Sequence, residues 1–209
     1  QEFGAVWDTA RKRAVFLCGR TNAAFYTNEV WEYGVATAYN WVRRETLADQ
    51  AAATTPPSAR YGSACAFDGA RSQTLLFGGS PAFPTLLNET WLRTDVRWRN
   101  PGPFPVPAAR DFATAVFDSA RNVVVMYGGS GTSGDLNDTW EWNGTTWANR
   151  FVGLPLGRPS YAMAYDSIRQ VSVLYGGQTG STIRGETFTW NGSSWAQQSP
   201  FTSPPVLTE

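Results

Sequence analysis

The chain has 209 residues, enough for one large domain or two small ones, and its 42% hydrophobic content is enough to build a packed core. Seventeen basic and seventeen acidic residues cancel and no basic run exists, which leaves no electrostatic footprint for nucleic acid or an anionic membrane. Aromatics at 14%, with twenty Gly and thirteen Pro, fit an all-β protein with aromatic packing rather than a helical or disordered one.

The predicted elements fall into four copies of one unit. In the first copy a strand starting near Phe3 runs to Asp8-Thr-Ala-Arg11. Gly19 follows, then Glu29-Val-Trp31, and Trp41 closes the copy. Ala48 to Thr55 reads as a surface excursion and Thr55-Pro-Pro-Ser58 as an extended link. The second copy gives Asp68-Gly-Ala-Arg71, Gly78-Gly79, Glu89-Thr-Trp91 and Trp98, and the link Pro101 to Pro107 leads on. The third copy is the most legible. Its four strands read Ala113 to Phe117, Val123 to Tyr127, Thr139 to Trp142, and one through Trp147. Asp118 can cap the first turn through its own side chain, and Asn122 tolerates a left-handed backbone. Gly128-Gly129 ends the second strand, and Asn143-Gly144 reads as a two-residue hairpin turn. After Leu154-Pro-Leu-Gly157 the fourth copy gives Asp166-Ser-Ile-Arg169, Gly176-Gly177, Glu186-Thr-Phe188, Asn191-Gly192 and Trp195, ending near Gln198. Copies one and two lack the Asn-Gly, so looser outer hairpins are expected there. The repeat of all these features in register defines one four-stranded unit.

Cys18 stands where the later copies have the first Gly of the pair. Cys18 and Cys65 fall on inner-strand positions of neighbouring copies, so either a bridge or two buried thiols fits. Apolar runs stop at about five residues, far short of the roughly 20 of a spanning helix, so no membrane insertion is expected. Gln1 opens directly on the first strand, which suits a chain after leader removal or a piece of a longer protein.

A unit of about 50 residues with a double Gly after strand two and a late Trp in strand four resembles the kelch repeat. The nearer likeness is to the bacterial extracellular variety, which carries Asp-x-Ala-Arg, aromatic-Gly-Gly and Asp-Thr-Trp-x-Trp-x-Gly-x-x-Trp. Asp138 to Trp147 matches the last segment throughout. The resemblance implies one all-β domain over residues 1–209, a β-propeller of four four-stranded antiparallel blades. These would span about 3–47, 58–100, 108–150 and 158–198, with strand one lining a central channel. Four is few for the family. A closed ring of four is taken first, beside an eight-bladed ring shared by two chains and a segment of a larger propeller. Ala64, Ala66, Ala113, Ala115, Ala162 and Ala164 should lie near the axis or a neighbouring blade. Trp7, Phe67, Phe117 and Tyr165, and Leu17, Phe77, Tyr127 and Tyr175, should fill the core between blades. Arg60, Arg110 and Arg158 recur once per blade, as do Glu29, Glu89, Asp138 and Glu186. They read as pairs tying neighbouring blades, with an anion-binding ring of Arg as the rival.

Histidine is absent, which removes His-based triads, His metal sites and imidazole acid–base work. No catalytic constellation, phosphate loop or thiol nucleophile with a base partner is recognisable, so no cofactor, metal or catalytic residue is assigned. Asp135-Leu-Asn-Asp138 could ligate a cation, although loop acids are more often turn caps. Binding is expected on the face of the strand two–three loops, where the copies differ: Phe25 and Tyr26, Phe83, Asp135 and Arg184. The expected function is a non-catalytic, secreted or cell-surface module binding a carbohydrate or a protein. The alternatives are a carbohydrate-active enzyme using loop carboxylates, or a structural subunit of an extracellular assembly that associates with its own copies.

Overall fold

A computed structural model describes residues 2–22, 25–34, 40–44, 47–48, 56–95, 97–102, 105–150, 155–157, 159–179 and 182–205. Arg158, residues 49–55 and the tail 206–209, which the sequence singles out, lie outside them. The described chain is all-β, with no helix long and apolar enough to cross a membrane.

The first unit comprises β1 (Gly4–Asp8), β2 (Arg13–Asn22), β3 (Phe25–Tyr33) and β4 (Trp41–Arg44). Next comes β5 (Leu47–Ala48), which pairs parallel with the outer edge of the second unit, β6 (Ala64–Asp68), β7 (Gln73–Phe77), β8 (Thr90–Thr94) and β9 (Arg97–Arg99). The short β10 (Arg110–Asp111) precedes the third unit, β11 (Thr114–Asp118), β12 (Val123–Tyr127), β15 (Thr139–Trp142) and β16 (Trp147–Asn149). Its loop carries β13 (Ser130–Gly131) and β14 (Gly134–Asp135), which join β10 in a small sheet. The fourth unit is β17 (Tyr161–Asp166), β18 (Val171–Gly176), β21 (Thr187–Trp190) and β22 (Trp195–Gln198), with β19 (Gln178–Thr179) and β20 (Thr182–Ile183) as a hairpin in its loop. Each unit is an antiparallel meander with its strands side by side in chain order.

The turns follow from the repeated residues. Asp8, Asp68, Asp118 and Asp166 each accept a backbone N–H from the Arg three residues on, at 2.9, 3.2, 3.0 and 2.9 Å, and pair with its guanidinium. The next residue then takes positive φ in every copy: Lys12 at 53°, Ser72 at 52°, Asn122 at 55° and Gln170 at 56°. The Asp cap thus holds a left-handed residue that needs no Gly. Cys18, at φ 54°, likewise adopts the conformation of the first Gly in the later pairs.

The outer Asn-Gly turns differ from expectation. Trp142 pairs with Trp147 and Trp190 with Trp195, so each loop has four residues rather than two. Asn143 Oδ1 accepts from the backbone of Thr145 and Thr146, and Asn191 Oδ1 from Ser193 and Ser194. The two polar residues after each Gly supply these donors, which widens the turn.

The inner strands pack in sequence, β1 on β6, β6 on β11 and β11 on β17. At each junction the closing Trp of one unit enters the unit before it. The Trp147 indole lies 5.3 Å from the Phe77 ring and donates to Thr90 Oγ1 at 2.9 Å. Trp195 lies 5.1 Å from Tyr127 and donates to Thr139 Oγ1 at 2.8 Å. Trp98 joins Val15, Leu17 and Val30 in the same way, but position 30 offers no hydroxyl and the buried Trp98 Nε1 finds no partner among the described residues. Arg71 and Arg121 reach the outer turn of the following unit and lie where a Cβ on Gly144 or Gly192 would sit.

Two further contacts cross the junctions. Glu32, wholly buried, receives Arg13, Arg44 and, from the second unit, Arg93 Nη2 at 2.8 Å. Glu141 receives Arg121, Arg150 and, from the fourth unit, Trp190 Nε1 at 3.1 Å. Both Glu stand three residues after the acid of the acidic-x-aromatic signal, so aligning the copies would have flagged them.

The expected pairs are present in a modified form. Arg60 bonds Glu89 and Arg110 bonds Asp138, each within one copy. The tie between units is made by their backbones: Gly19 N–H donates to the Arg60 carbonyl and Gly79 N–H to that of Arg110, while the side chains cap the Gly78 and Gly128 carbonyls. Both guanidiniums are wholly buried in these bonds, so neither is free to hold an anion. Glu29 pairs instead with the exposed Arg43.

Among the described residues β17 shows no packing on β1 comparable to that of the three inner pairs, and no closed ring of four is seen. The alanines record this. Ala64 and Ala66 are buried, Ala113 and Ala115 half-buried, and Ala162 and Ala164 exposed. Phe67 is buried and Phe117 packs half-buried against the core, whereas Trp7 is 56% exposed; with Tyr165 they line an open groove among the inner strands. Leu17, Phe77 and Tyr127 are core, whereas Tyr175 is half-buried. Cys18 and Cys65 are free thiols, not a bridge. Burial pushes the Cys18 thiol up to about 12 and raises that of Cys65 as well, so both stay protonated and inert.

Candidate functional site

The segments that join the units carry the recurring Arg, and the residue after it is free to vary. Those residues are Tyr61 and Asp111. Arg60 and Arg110, locked as described, fix the backbone beneath them. Tyr61 is further held by reciprocal backbone bonds with Ser80 at 3.0 and 2.9 Å, and Asp111 pairs with Ser130 across β10 and β13. Phe112 sits at φ 51° and Gly62 at 64°, the same left-handed step in successive copies, and the Phe112 N–H donates to the Gly62 carbonyl at 2.7 Å. This step swings Phe112 towards Tyr61.

An aromatic row results. Tyr26 of the first unit stacks on Tyr61, with ring centroids 5.0 Å apart and planes 19° apart. Phe112 meets the Tyr61 ring at 5.9 Å and 59°. The Arg20 guanidinium lies 6.0 Å from the Tyr61 centroid and is paired to Glu2 at 3.6 Å. Beyond Tyr61 a groove of about 600 Å³ runs between the second and third units, walled by Tyr61, Phe83, Leu86, Phe112 and Thr132, with Asp111 among them.

Asp111 is 7% exposed, and no ion pair compensates it among the described residues. Burial raises its carboxyl to about 6 and the charge of Glu2 adds to this, while a backbone hydrogen bond opposes it. The contrast with Asp138 is instructive. Arg110 and the Trp140 indole hold the Asp138 carboxyl below its usual range, more than offsetting burial. Two acids 27 positions apart in one unit are thus tuned in opposite directions, one by a scaffold Arg and one by burial.

The residues expected to bind are only partly brought together. Phe83 lines the groove and is 84% exposed, and Tyr26 starts the aromatic row. Asp135 is exposed on β14 behind the groove wall, where it accepts from Ser130 Oγ at 2.9 Å. Phe25, 66% exposed, opens β3 outside the groove lining, and Arg184 lies on the loop of the fourth unit. Asp135 and Asp138 turn to different partners, so the pair does not converge on a cation, and no group of three or more metal-ligating residues exists among the described residues.

Tyr61, Asp111 and Phe112 were missed in the sequence. Their signal was present: each stands one or two places after a recurring Arg, at positions where the copies disagree. Apolar aromatic faces flanking one buried carboxylate can stack on a flat, partly apolar group and accept hydrogen bonds from its polar edge. No family model matches the chain, and no curated protein matches it.

Proposed function

We propose that the four units are kelch-like blades of a propeller-type module, and that the chain is a non-catalytic binding module of the secreted or cell-surface kind. Its ligand is a glycan, held in the groove between the second and third units. The observation that carries the reading is the aromatic row ending at Asp111, a carboxylate with no ion-pair partner among the described residues. A sugar ring offers apolar faces to Tyr61, Phe112 and Phe83 and hydroxyls to Asp111. Secretion follows the kelch resemblance, and a protein ligand with an aromatic or basic side chain would use the same groups.

Glycan-array screening of the intact chain, followed by titration of the best binder, tests this. Asp111→Asn and Tyr61→Ala should each weaken binding roughly tenfold or more, the loss expected for one charge-assisted hydrogen bond or one stacked ring, about 1.5–3 kcal/mol. Retained affinity in both variants would place the site elsewhere. One observation favours a second reading, a carbohydrate-active enzyme. Burial first, and the charge of Glu2 second, raise the Asp111 carboxyl, the direction a general acid needs. Release of shortened glycan, lost in Asp111→Asn, would establish that reading in place of the first.

A further inference from the structure

The three junctions inside the chain follow one rule. The earlier unit presents the end of its second strand and a position on its third: Leu17 with Val30, Phe77 with Thr90, and Tyr127 with Thr139. All six are buried. The later unit inserts its closing Trp, and behind it Leu76, Met126 or Leu174 from its second strand, each wholly buried. At the second and third junctions the hairpin Arg of the earlier unit, Arg71 or Arg121, lies over the outer turn of the later one.

Both ends of the series expose one half of this junction. On the fourth unit, Tyr175 and Thr187 stand where Tyr127 and Thr139 stand in the third, and both are only half-buried. Arg169, the counterpart of Arg71 and Arg121, is paired with Asp166 of its own turn and its side chain is 77% exposed. On the first unit, Trp41 is 52% exposed, and Phe16 and Trp31 beside it line an apolar groove of about 480 Å³. Trp41 is already oriented for insertion. It rests on Tyr33 at 5.1 Å, as Trp147 rests on Trp142 and Trp195 on Trp190, both at 5.5 Å.

Among the described residues, the chain after the fourth unit follows the course of a link. Tyr127 Oη donates to the Pro155 carbonyl in the link between the third and fourth units, at 2.6 Å. Tyr175 Oη donates to the Pro204 carbonyl at 2.8 Å. Residues 199–205 therefore take the path of a link, and inside the chain that link and an inserted Trp occupy the junction together.

We propose that the two ends are a docking pair, and that a second copy of this chain binds head to tail. Trp41 of the partner subunit enters beside Tyr175 and donates its Nε1–H to Thr187 Oγ1. The occupant is specified by chemistry: an indole donor at the register of the Thr hydroxyl and an apolar strand behind it. A unit of this repeat carries both, and every copy of the chain brings one. The contact is heterologous, so it closes into a ring or extends according to the rotation per junction.

Sedimentation velocity on the full chain at micromolar concentration tests this, with two variants. Trp41→Ala disables one end and Thr187→Lys the other, with Tyr175→Ala replacing the latter if it lowers the thermal midpoint. The wild type should sediment as a dimer or larger. Each variant alone should be monomeric with unchanged thermal unfolding. An equimolar mixture should form a one-to-one dimer and nothing larger, because it holds one intact pair of ends. A monomeric wild type, association that survives in either variant, or a mixture that stays monomeric would overturn the proposal.

Discussion

Replacing Val30 by Thr should stabilise the protein, although it puts a hydroxyl in a fully buried place. Trp98 Nε1 is buried without an acceptor among the described residues, whereas its counterparts Trp147 and Trp195 donate to Thr90 and Thr139. Val30 occupies the equivalent strand position and packs in the same cluster as Trp98. An unsatisfied buried donor costs about 1–3 kcal/mol. Exchanging the Val methyl for a hydroxyl costs about 1 kcal/mol of apolar burial and desolvation. The acceptor should win by about 0.5–1 kcal/mol, a rise of roughly 1–4 °C in midpoint for a chain of this size. Urea titration of four proteins decides it: wild type, Val30→Thr, Trp98→Phe and the double variant. With the indole gone, the hydroxyl has nothing to accept, so Val30→Thr should destabilise the Trp98→Phe background by about 1 kcal/mol. An equal effect of Val30→Thr in both backgrounds would refute the reasoning.

Arg110→Met should destabilise by about 3–5 kcal/mol, because it strands Asp138 and the Gly128 carbonyl in a buried site; chemical denaturation measures this, and a loss below about 1 kcal/mol would contradict a scaffold role. Asp111 gives a pH dependence of known sign. Its folded pKa, about 6, lies above the ordinary value of 3.8, so between these pH values the folded state binds the extra proton and stability from this group falls as pH rises. The stability difference between wild type and Asp111→Asn should therefore move against the wild type from pH 4 to pH 6 and level off above, and a flat difference in urea titrations would remove the shift. Gly144→Ala should cost more than about 1 kcal/mol, since φ is 99° and the new Cβ would collide with the Arg71 guanidinium; thermal unfolding reports it, and removing the clash with Arg71→Ala should recover only the steric part.

What the sequence determined by itself is the local chemistry of the repeat. An Asp followed three residues later by Arg makes its own capped turn, the glycine pairs end the second strands, and four such sets in register specify four antiparallel meanders. These contacts span a few residues, so residue identity and spacing suffice to read them. Loop length at Asn143 was misjudged because Thr145 and Thr146, polar residues that look incidental, supply the donors that widen the turn. The tertiary structure alone decided contacts across junctions. Glu32 finds Arg93 61 residues away, Trp195 finds Thr139 56 away, and Tyr61 meets Tyr26 and Phe112 only because two links cross the same face. It also decided the state of Asp111. Burial is a property of the surroundings, so an Asp beside a recurring Arg gave no sign in the sequence that its partner would be taken by Asp138.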